Sequence, residues 1–135
     1  MTEVLVQPLF VGQQYQTQVW ASQDVLDRIA EFLKGGGDAA AEYILKAQYY
    51  AEAGFHQHEG DKRGIRYKWD GVYAIEPWAT LFRLYGFYEP PTKTAFIIPT
   101  TTLKKGQKMR KKDKAEVRYA AQVLDSGAWR KVDPE

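Results

Sequence analysis

The stretch from Leu81 to Ile98 constrains the fold most, because two strand-like runs in it are separated by consecutive prolines. The first run, Leu81–Tyr88, alternates bulky side chains, and the second is Thr94–Ile98. Proline has no backbone N–H and cannot continue a hydrogen-bonded ladder, so Pro90-Pro91 separates the two runs. Strands joined by so short a connection pair as an antiparallel hairpin. The sequence therefore predicts an antiparallel sheet built around this hairpin.

The segments before this hairpin predict a strand followed by two helices. The apolar run Val4–Val11 predicts the first strand, and Gln13–Trp20 either extends it or forms a loop. Ser22 is a typical helix N-cap before apolar residues at helical spacing. A second helix is expected to begin at an Asp38 cap and to end at Gly54. The short glycine-rich connection predicts that the two helices form an antiparallel hairpin.

Two further elements complete the predicted order. Asp70-Gly71, between apolar runs at 65–69 and 72–75, is a strong hairpin signal. The last helix is expected to begin at Asp113, with Glu116 completing a capping box. Its predicted buried residues are Val117, Ala120, Ala121 and Leu124. The polar segment 55–64, which holds His56 and His58, is predicted to be a surface loop.

This order predicts a single α+β domain spanning residues 1–135. Its parts are an N-terminal strand, an α-hairpin, a small antiparallel sheet of three to four strands and a C-terminal helix, with the helices against one face of the sheet. The chain is 44% apolar and 27% charged, which is typical of a soluble globular domain. It has no apolar run of about 18 residues and no basic start before an apolar stretch, so neither a membrane helix nor a signal peptide is expected. The absence of cysteine excludes disulfides, thiol nucleophiles and cysteine-ligated zinc, and a cytoplasmic location is the simplest interpretation.

Positive charge is concentrated between Lys104 and Arg118. This stretch holds eight basic and two acidic side chains, a local charge of +6 in a chain whose net charge is +2. A run of lysines is often a solvated surface that aids solubility. Its position after two strands and before a capped helix favours nucleic-acid binding, with an affinity that falls as salt rises.

The stretch resembles the RelE/ParE toxin superfamily, in particular the phage-derived HigB-like (Gp49-like) branch. Members carry an aromatic-Arg-aliphatic-aliphatic-Tyr strand, a turn, an apolar strand, and a Lys-Lys block that leads into a charged helix. The corresponding segments here are Phe82-Arg83-Leu84-Tyr85, Thr94–Ile98, Lys104-Lys105-Gly106-Gln107-Lys108 and the chain from Asp113 onward. The resemblance covers about residues 65 to 124 by motif, and the preceding residues by element order.

The resemblance implies the toxin of a type II toxin–antitoxin system, a ribosome-dependent endonuclease that cleaves messenger RNA without a metal or other cofactor. A ribose 2′-hydroxyl would attack the adjacent phosphate, so the site needs a base, an acid and cations. The implied catalytic residues are Arg83, Lys104, Lys105 and Lys108. The implied RNA-binding residues are Tyr85, Arg110, Lys111, Lys112, Lys114 and Arg118. The implied partners are messenger RNA on the ribosome and a cognate antitoxin protein, with no membrane.

The sequence does not identify the general base. Both histidines lie in the 55–64 segment, and nothing in the sequence brings them near Arg83. A lysine whose pKa is lowered by neighbouring cations is one alternative, and Tyr85 or Tyr88 is another. Arg83 is equally well explained as a strand residue paired with Glu76 or Glu89.

Three other functions remain open. The chain has Met109-Arg110 where the family usually has Thr-Pro, which favours a non-catalytic, phage-related domain of the same fold that binds nucleic acid or protein. The gyrase-inhibiting branch, which acts by protein contact, is a further alternative. The last is a structural phage protein whose basic helix contacts nucleic acid.

Overall fold

A computed structural model describes residues 1–61, 64–76, 82–102 and 110–133 of the chain. In these ranges the strands are β1 (Val4–Phe10), β2 (Gln18–Ser22), β3 (Ile65–Tyr67), β4 (Tyr73–Ile75), β5 (Arg83–Tyr88), β6 (Ala95–Thr102) and β7 (Trp129–Lys131). The helices are α1 (Gln23–Gly35), α2 (Gly37–Ala53) and α3 (Arg110–Ser126), with a 3₁₀ turn at Phe55–His58. The mixed α+β class agrees with the prediction, but the element order differs from it, because β2 precedes the two helices and β7 follows α3.

The sheet is larger than predicted and is not purely antiparallel. The described strands form one sheet in the order β3-β4-β5-β6-β2-β1-β7. β3 to β6 are antiparallel neighbours in chain order, whereas β2 pairs with β6, and β7 with β1, in parallel. The predicted sheet of three to four strands is therefore wrong in size. The error arises because β2 alternates weakly and β7 has three residues, so neither gives a clear strand signal.

The helices cover both faces of this sheet, and the prediction that they share one face is wrong. α1 and α2 pack against a core that includes Leu84, Phe96 and Ile98, while α3 packs against Tyr85 and other residues of the opposite face. β5 and β6 are therefore buried on both sides, which explains their nearly continuous apolar sequence. As predicted, the buried face of α3 includes Val117, Ala120 and Ala121, and Leu124 is partly buried. None of the helices in the described ranges is long and apolar enough to cross a membrane.

The helix ends follow the sequence signals only in part. Ser22 caps α1, since its hydroxyl accepts a hydrogen bond of 3.2 Å from the Val25 N–H. The predicted Asp38 cap of α2 is wrong, because the helix already begins at Gly37 and Asp38 lies in its first turn. α3 likewise begins at Arg110, so Asp113 lies inside the helix and does not cap it.

A β-bulge in β6, opposite Gly86 of β5, decides which face of the sheet the end of β6 presents to α3. Tyr85 pairs with Thr100 and Phe87 with Ile97, so Ile98 and Pro99 together oppose the single residue Gly86. The extra residue in β6 is a β-bulge, which reverses the alternation of side chains beyond it. Thr100 consequently faces α3, on the same side of the sheet as Tyr85.

We expect Gly86→Ala to destabilise the fold, because the added Cβ would lie 2.3 Å from the Ile97 carbonyl oxygen and 2.5 Å from the Phe96 ring. Backbone atoms at the bulge cannot move without disturbing the ladder, and overpacking typically costs about 1–3 kcal/mol. The measurement is the free energy of unfolding by denaturant. Gly35→Ala is the matched control, since its Cβ meets nothing within 4 Å and the change is expected to be neutral or stabilising by up to about 1 kcal/mol. Equal stability of the two variants would contradict this account of the bulge.

Candidate nucleic-acid interface

Three charged side chains meet where β4 ends and β5 begins, and the Lys68 side chain reaches this point from the opposite end of β3. Arg83 begins β5, Glu76 follows β4, and Lys68 follows β3. Glu76 Oε1 lies 2.6 Å from Lys68 Nζ and 3.4 Å from Arg83 Nε. Leu84, which follows Arg83, and Ile75, which precedes Glu76, point into the core under α1 and α2. Because successive residues of a strand point to opposite faces, Arg83 and Glu76 lie on the α3 side of the sheet. We call Lys68, Glu76 and Arg83 the ion-pair cluster.

The ion-pair cluster is only partly exposed to solvent. The side chain of Glu76 is 12% exposed, while those of Lys68 and Arg83 are 25% and 29% exposed. Charges this sheltered interact more strongly than freely exposed pairs, because less water screens them. Two cations on one carboxylate leave the cluster with a net positive charge. The sequence had named Glu76 and Glu89 as possible partners of Arg83, and Glu76 is the one that contacts it.

Arg83 lies beside the point where the chain enters the basic stretch. Its backbone pairs with Thr102, the last residue of β6, and the Thr101 hydroxyl donates a 2.6 Å hydrogen bond to the Arg83 carbonyl. Lys104 follows two residues later in the sequence. The predicted catalytic residues Lys104, Lys105 and Lys108 fall outside the described residues.

The N-terminal half of α3 contributes further predicted cations. Glu116 lies on the flank of α3 that faces β6, where its carboxylate accepts a hydrogen bond from the Thr100 hydroxyl. Lys114 and Arg118 are exposed and, at 100° per residue, lie about 160° around the helix from Glu116. Arg110, Lys111 and Lys112 belong to the helix, but their side chains fall outside the description.

The side of the sheet that α3 covers also carries a cation of the edge strand. Arg66 of β3 is exposed, and it pairs with Ala74, which clusters with the residues under α3. Cross-strand partners lie on the same face of a sheet, so Arg66 is on the α3 side as well. We define the basic surface as Arg66, Lys68, Arg83, Lys114 and Arg118. Its chemistry suits phosphate groups, since arginine can hold two phosphate oxygens at once.

Tyr85, predicted to contact RNA, is a core residue of the folded chain. It is fully buried and clusters with Val117, Ala120 and Ala121 of α3. A ring enclosed between a sheet and a helix is not accessible to a base in this structure. Tyr85 belongs to the aromatic strand motif that predicted RNA contact. The alternation of side chains along a strand does not show which face of the sheet a helix covers.

Sequence reasoning overlooked Lys68 and Glu76 as members of a common site. The available signal was the Asp70-Gly71 turn, which pairs β3 with β4, together with the alternation that puts both residues on one face. They do not lie directly opposite each other, since Lys68 bonds to Val72 and Glu76 to Gly64 through the backbone. The contact depends on the long lysine side chain, which a pairing pattern does not reveal.

The other face of β3 to β5 carries a row of tyrosines. The Tyr67, Tyr73 and Tyr88 rings follow one another with centroids 5.2 Å apart at each step, edge against face. Burial, and next the neighbouring Glu59 carboxylate, raises the pKa of Tyr73 to about 12. The same two causes raise the pKa of Tyr88 still further. We call these three residues the tyrosine row.

The two histidines follow α2, and the His58 ring lies on the α1–α2 side of the sheet, the face opposite the ion-pair cluster. They lie in the 3₁₀ turn, where a loop was predicted, and the His58 ring packs 4.3 Å from the Tyr50 ring on the α1–α2 side. His58 Nδ1 is 3.1 Å from Asp61, an ion pair when the ring is protonated. In the part of the chain that the structure describes, no three His, Asp or Glu side chains are grouped as a metal site.

Comparison of the chain with protein-family models, curated proteins and solved structures finds no match. The site is therefore interpreted from its own geometry.

We expect the free energy of unfolding to fall as the pH rises from about 10 to about 12. An unfolded tyrosine has a pKa of about 10, so in this window the unfolded chain releases the Tyr73 proton while the folded chain retains it. Tyr73→Phe keeps a ring beside Tyr67 and Tyr88 but cannot titrate, so its stability should decline less steeply. The measurement is denaturant unfolding across this pH range for both proteins. Identical declines would contradict the assigned role of Tyr73.

Proposed function

We propose that the chain is a metal-free endoribonuclease that acts on messenger RNA, the toxin of a toxin–antitoxin pair. The observation that carries the proposal is the ion-pair cluster, which joins a carboxylate to two cations where β6 leads into the basic stretch. A carboxylate supplies the general base that the sequence alone did not identify. The cations supply the charge that phosphate chemistry needs.

In the proposed reaction, Glu76 takes the proton of a ribose 2′-hydroxyl. The 2′-oxygen then forms a bond to the adjacent phosphorus, and the bond from phosphorus to the 5′-oxygen breaks. Arg83 and Lys68 stabilise the negative charge that develops on the phosphoryl oxygens. A lysine, either Lys68 or one from the 104–108 segment, gives its proton to the departing 5′-oxygen. The products are a 2′,3′-cyclic phosphate and a free 5′-hydroxyl.

The proposed membership of the RelE/ParE superfamily, in its HigB-like branch, is supported by two features. The elements on which the resemblance rests occur in the expected sequence, a strand, two helices, strands and a helix, with β2 and β7 in addition to them. Arg83, the strand arginine, pairs with Thr102 at the end of β6, and the Lys-Lys block begins two residues later in the sequence. Such a toxin acts in the decoding site of the ribosome, in the cytoplasm, and is neutralised by an antitoxin whose acidic segment covers the basic surface.

A non-catalytic module that binds RNA is the second candidate. It is favoured by the 2.6 Å contact between Lys68 and Glu76, which is as close as a purely structural ion pair. In this case the basic surface binds the RNA backbone, and Glu76 serves only to hold the two cations in place.

Expression in a bacterial host should arrest growth and produce new messenger RNA 5′-ends inside translated codons within minutes. Arg83→Ala should lower the cleavage rate by about 10²–10³-fold, because one stabilising group for the transition state is lost. Lys104→Ala tests the basic stretch in the same way. Arg28→Ala is the matched control, since Arg28 pairs with Asp24 at 3.2 Å on an exposed helix surface and should not affect cleavage.

The outcomes separate the alternatives. Normal growth with intact transcripts would contradict the nuclease function. Growth arrest with intact transcripts and inhibited gyrase would point to the gyrase-inhibiting branch. Cleavage that persists in both Arg83→Ala and Lys104→Ala would show that another site is responsible.

Glu76→Gln should separate cleavage from binding. The amide cannot accept the 2′-hydroxyl proton, so cleavage should fall by about 10²–10⁴-fold. Removal of the negative charge should at the same time tighten RNA binding at low salt. The measurements are the cleavage rate and the dissociation constant of the same RNA, with Glu3→Gln as a control in an exposed ion pair with Arg130. Undiminished cleavage by Glu76→Gln would exclude Glu76 as the base.

A further inference from the structure

Tyr67 is an exposed aromatic side chain with two contacts to the rest of the fold. It is 57% exposed, yet its hydroxyl accepts a 3.3 Å hydrogen bond from the Gly71 N–H across the β3–β4 turn. Its ring contacts that of Tyr73, which in turn packs on Tyr88. Because these contacts restrict the rotation of the side chain, stacking of a ligand on it costs less conformational entropy than on an unsupported ring.

Tyr67 lies between two members of the basic surface. Arg66 precedes it and Lys68 follows it, and strand alternation directs both to the α3 side while Tyr67 lies on the side of the tyrosine row. β3 is the outermost strand of the sheet and is only three residues long. The Glu59–Gly60 segment pairs with Ile65 along its outer side, which leaves Tyr67 as the point where a ligand would cross. A polymer that crosses this short edge therefore meets cations on one face and an aromatic ring on the other.

We propose that Tyr67 is a stacking subsite for an unpaired nucleobase, and that the chain takes single-stranded rather than duplex RNA across the β3 edge. This inference rests on the proposed function. Phosphate groups would contact Lys68 and Arg66, and Lys68 adjoins Arg83 because both pair with Glu76. One base would turn over the β3 edge and stack on the Tyr67 ring. Bases in a duplex are stacked on their neighbours and offer no free face, so this arrangement selects single strands.

The test is the dissociation constant of an oligouridine RNA of about 12 nucleotides, measured over a range of salt concentrations. The RNA carries 2′-O-methyl groups, so that it cannot be cleaved during the measurement. Tyr67→Ala should weaken binding by about 5- to 150-fold, which corresponds to the ~1–3 kcal/mol typical of stacking on one base. The salt dependence should be unchanged, because no charge is lost.

Matched variants identify what Tyr67 contributes. Tyr49→Ala should bind like the wild type, since Tyr49 is equally exposed at 56% but lies on α2, away from the basic surface. Tyr67→Trp keeps a ring and should retain affinity, whereas Tyr67→Leu keeps an apolar side chain without a π face and should not. Lys68→Ala should instead lower the slope of log affinity against log salt by about 0.7.

An abasic RNA of the same length and a duplex RNA complete the experiment. Tyr67→Ala should not alter binding of the abasic strand, and the duplex should compete poorly with the single strand. The stacking subsite is excluded if Tyr67→Ala binds oligouridine as well as the wild type does. It is also excluded if the substitution weakens binding of the abasic strand as much as binding of oligouridine. In either case the proposed function is unaffected. If the wild type binds no free RNA even at low salt, the subsite is excluded, and the mapping of messenger RNA 5′-ends in cells decides the proposed function separately.

Discussion

The pairing of β5 with β6 is the constraint on which the rest of the structure depends. Both strands are covered on both faces, so their side chains must fit α1 and α2 on one side and α3 on the other. The bulge opposite Gly86 makes this possible, because it reverses the alternation of β6 and turns Thr100 toward Glu116 of α3. A strand pair fixed from both sides is a rigid support, which a site built from side chains at strand ends requires.

Strands β3 to β5 carry charged side chains on one face and aromatic side chains on the other. On the α3 side, β3 to β5 carry the ion-pair cluster, and on the α1–α2 side they carry the tyrosine row. The two sets meet at β3, where successive residues of a single edge strand point to opposite faces. The cations that attract a phosphate backbone therefore lie close to the rings that stack on bases. The two sets remain on opposite faces of the sheet.

The fold class and several local features could be predicted from the sequence. The Ser22 cap, the Asp70-Gly71 turn and the buried face of α3 each depend on residues close in sequence, and each is present. The sheet size and the placement of α3 on the opposite face depend on contacts between distant segments, which periodicity cannot supply. For the same reason the sequence could name Glu76 as a partner for Arg83 but could not place Lys68 beside it. The burial of Tyr85 also depends on which face α3 covers.

The position of Glu76 between two cations suits the proposed reaction. A sheltered ion pair contributes little net stability, because the cost of removing charges from water offsets much of their attraction. In the free protein, Glu76 compensates Lys68 and Arg83 and keeps both where β4 ends and β5 begins. In the proposed reaction, a bound phosphate takes over these two cations and leaves the carboxylate free to accept a proton. The same contact that neutralises the cluster in the absence of RNA would therefore prepare its base when RNA binds.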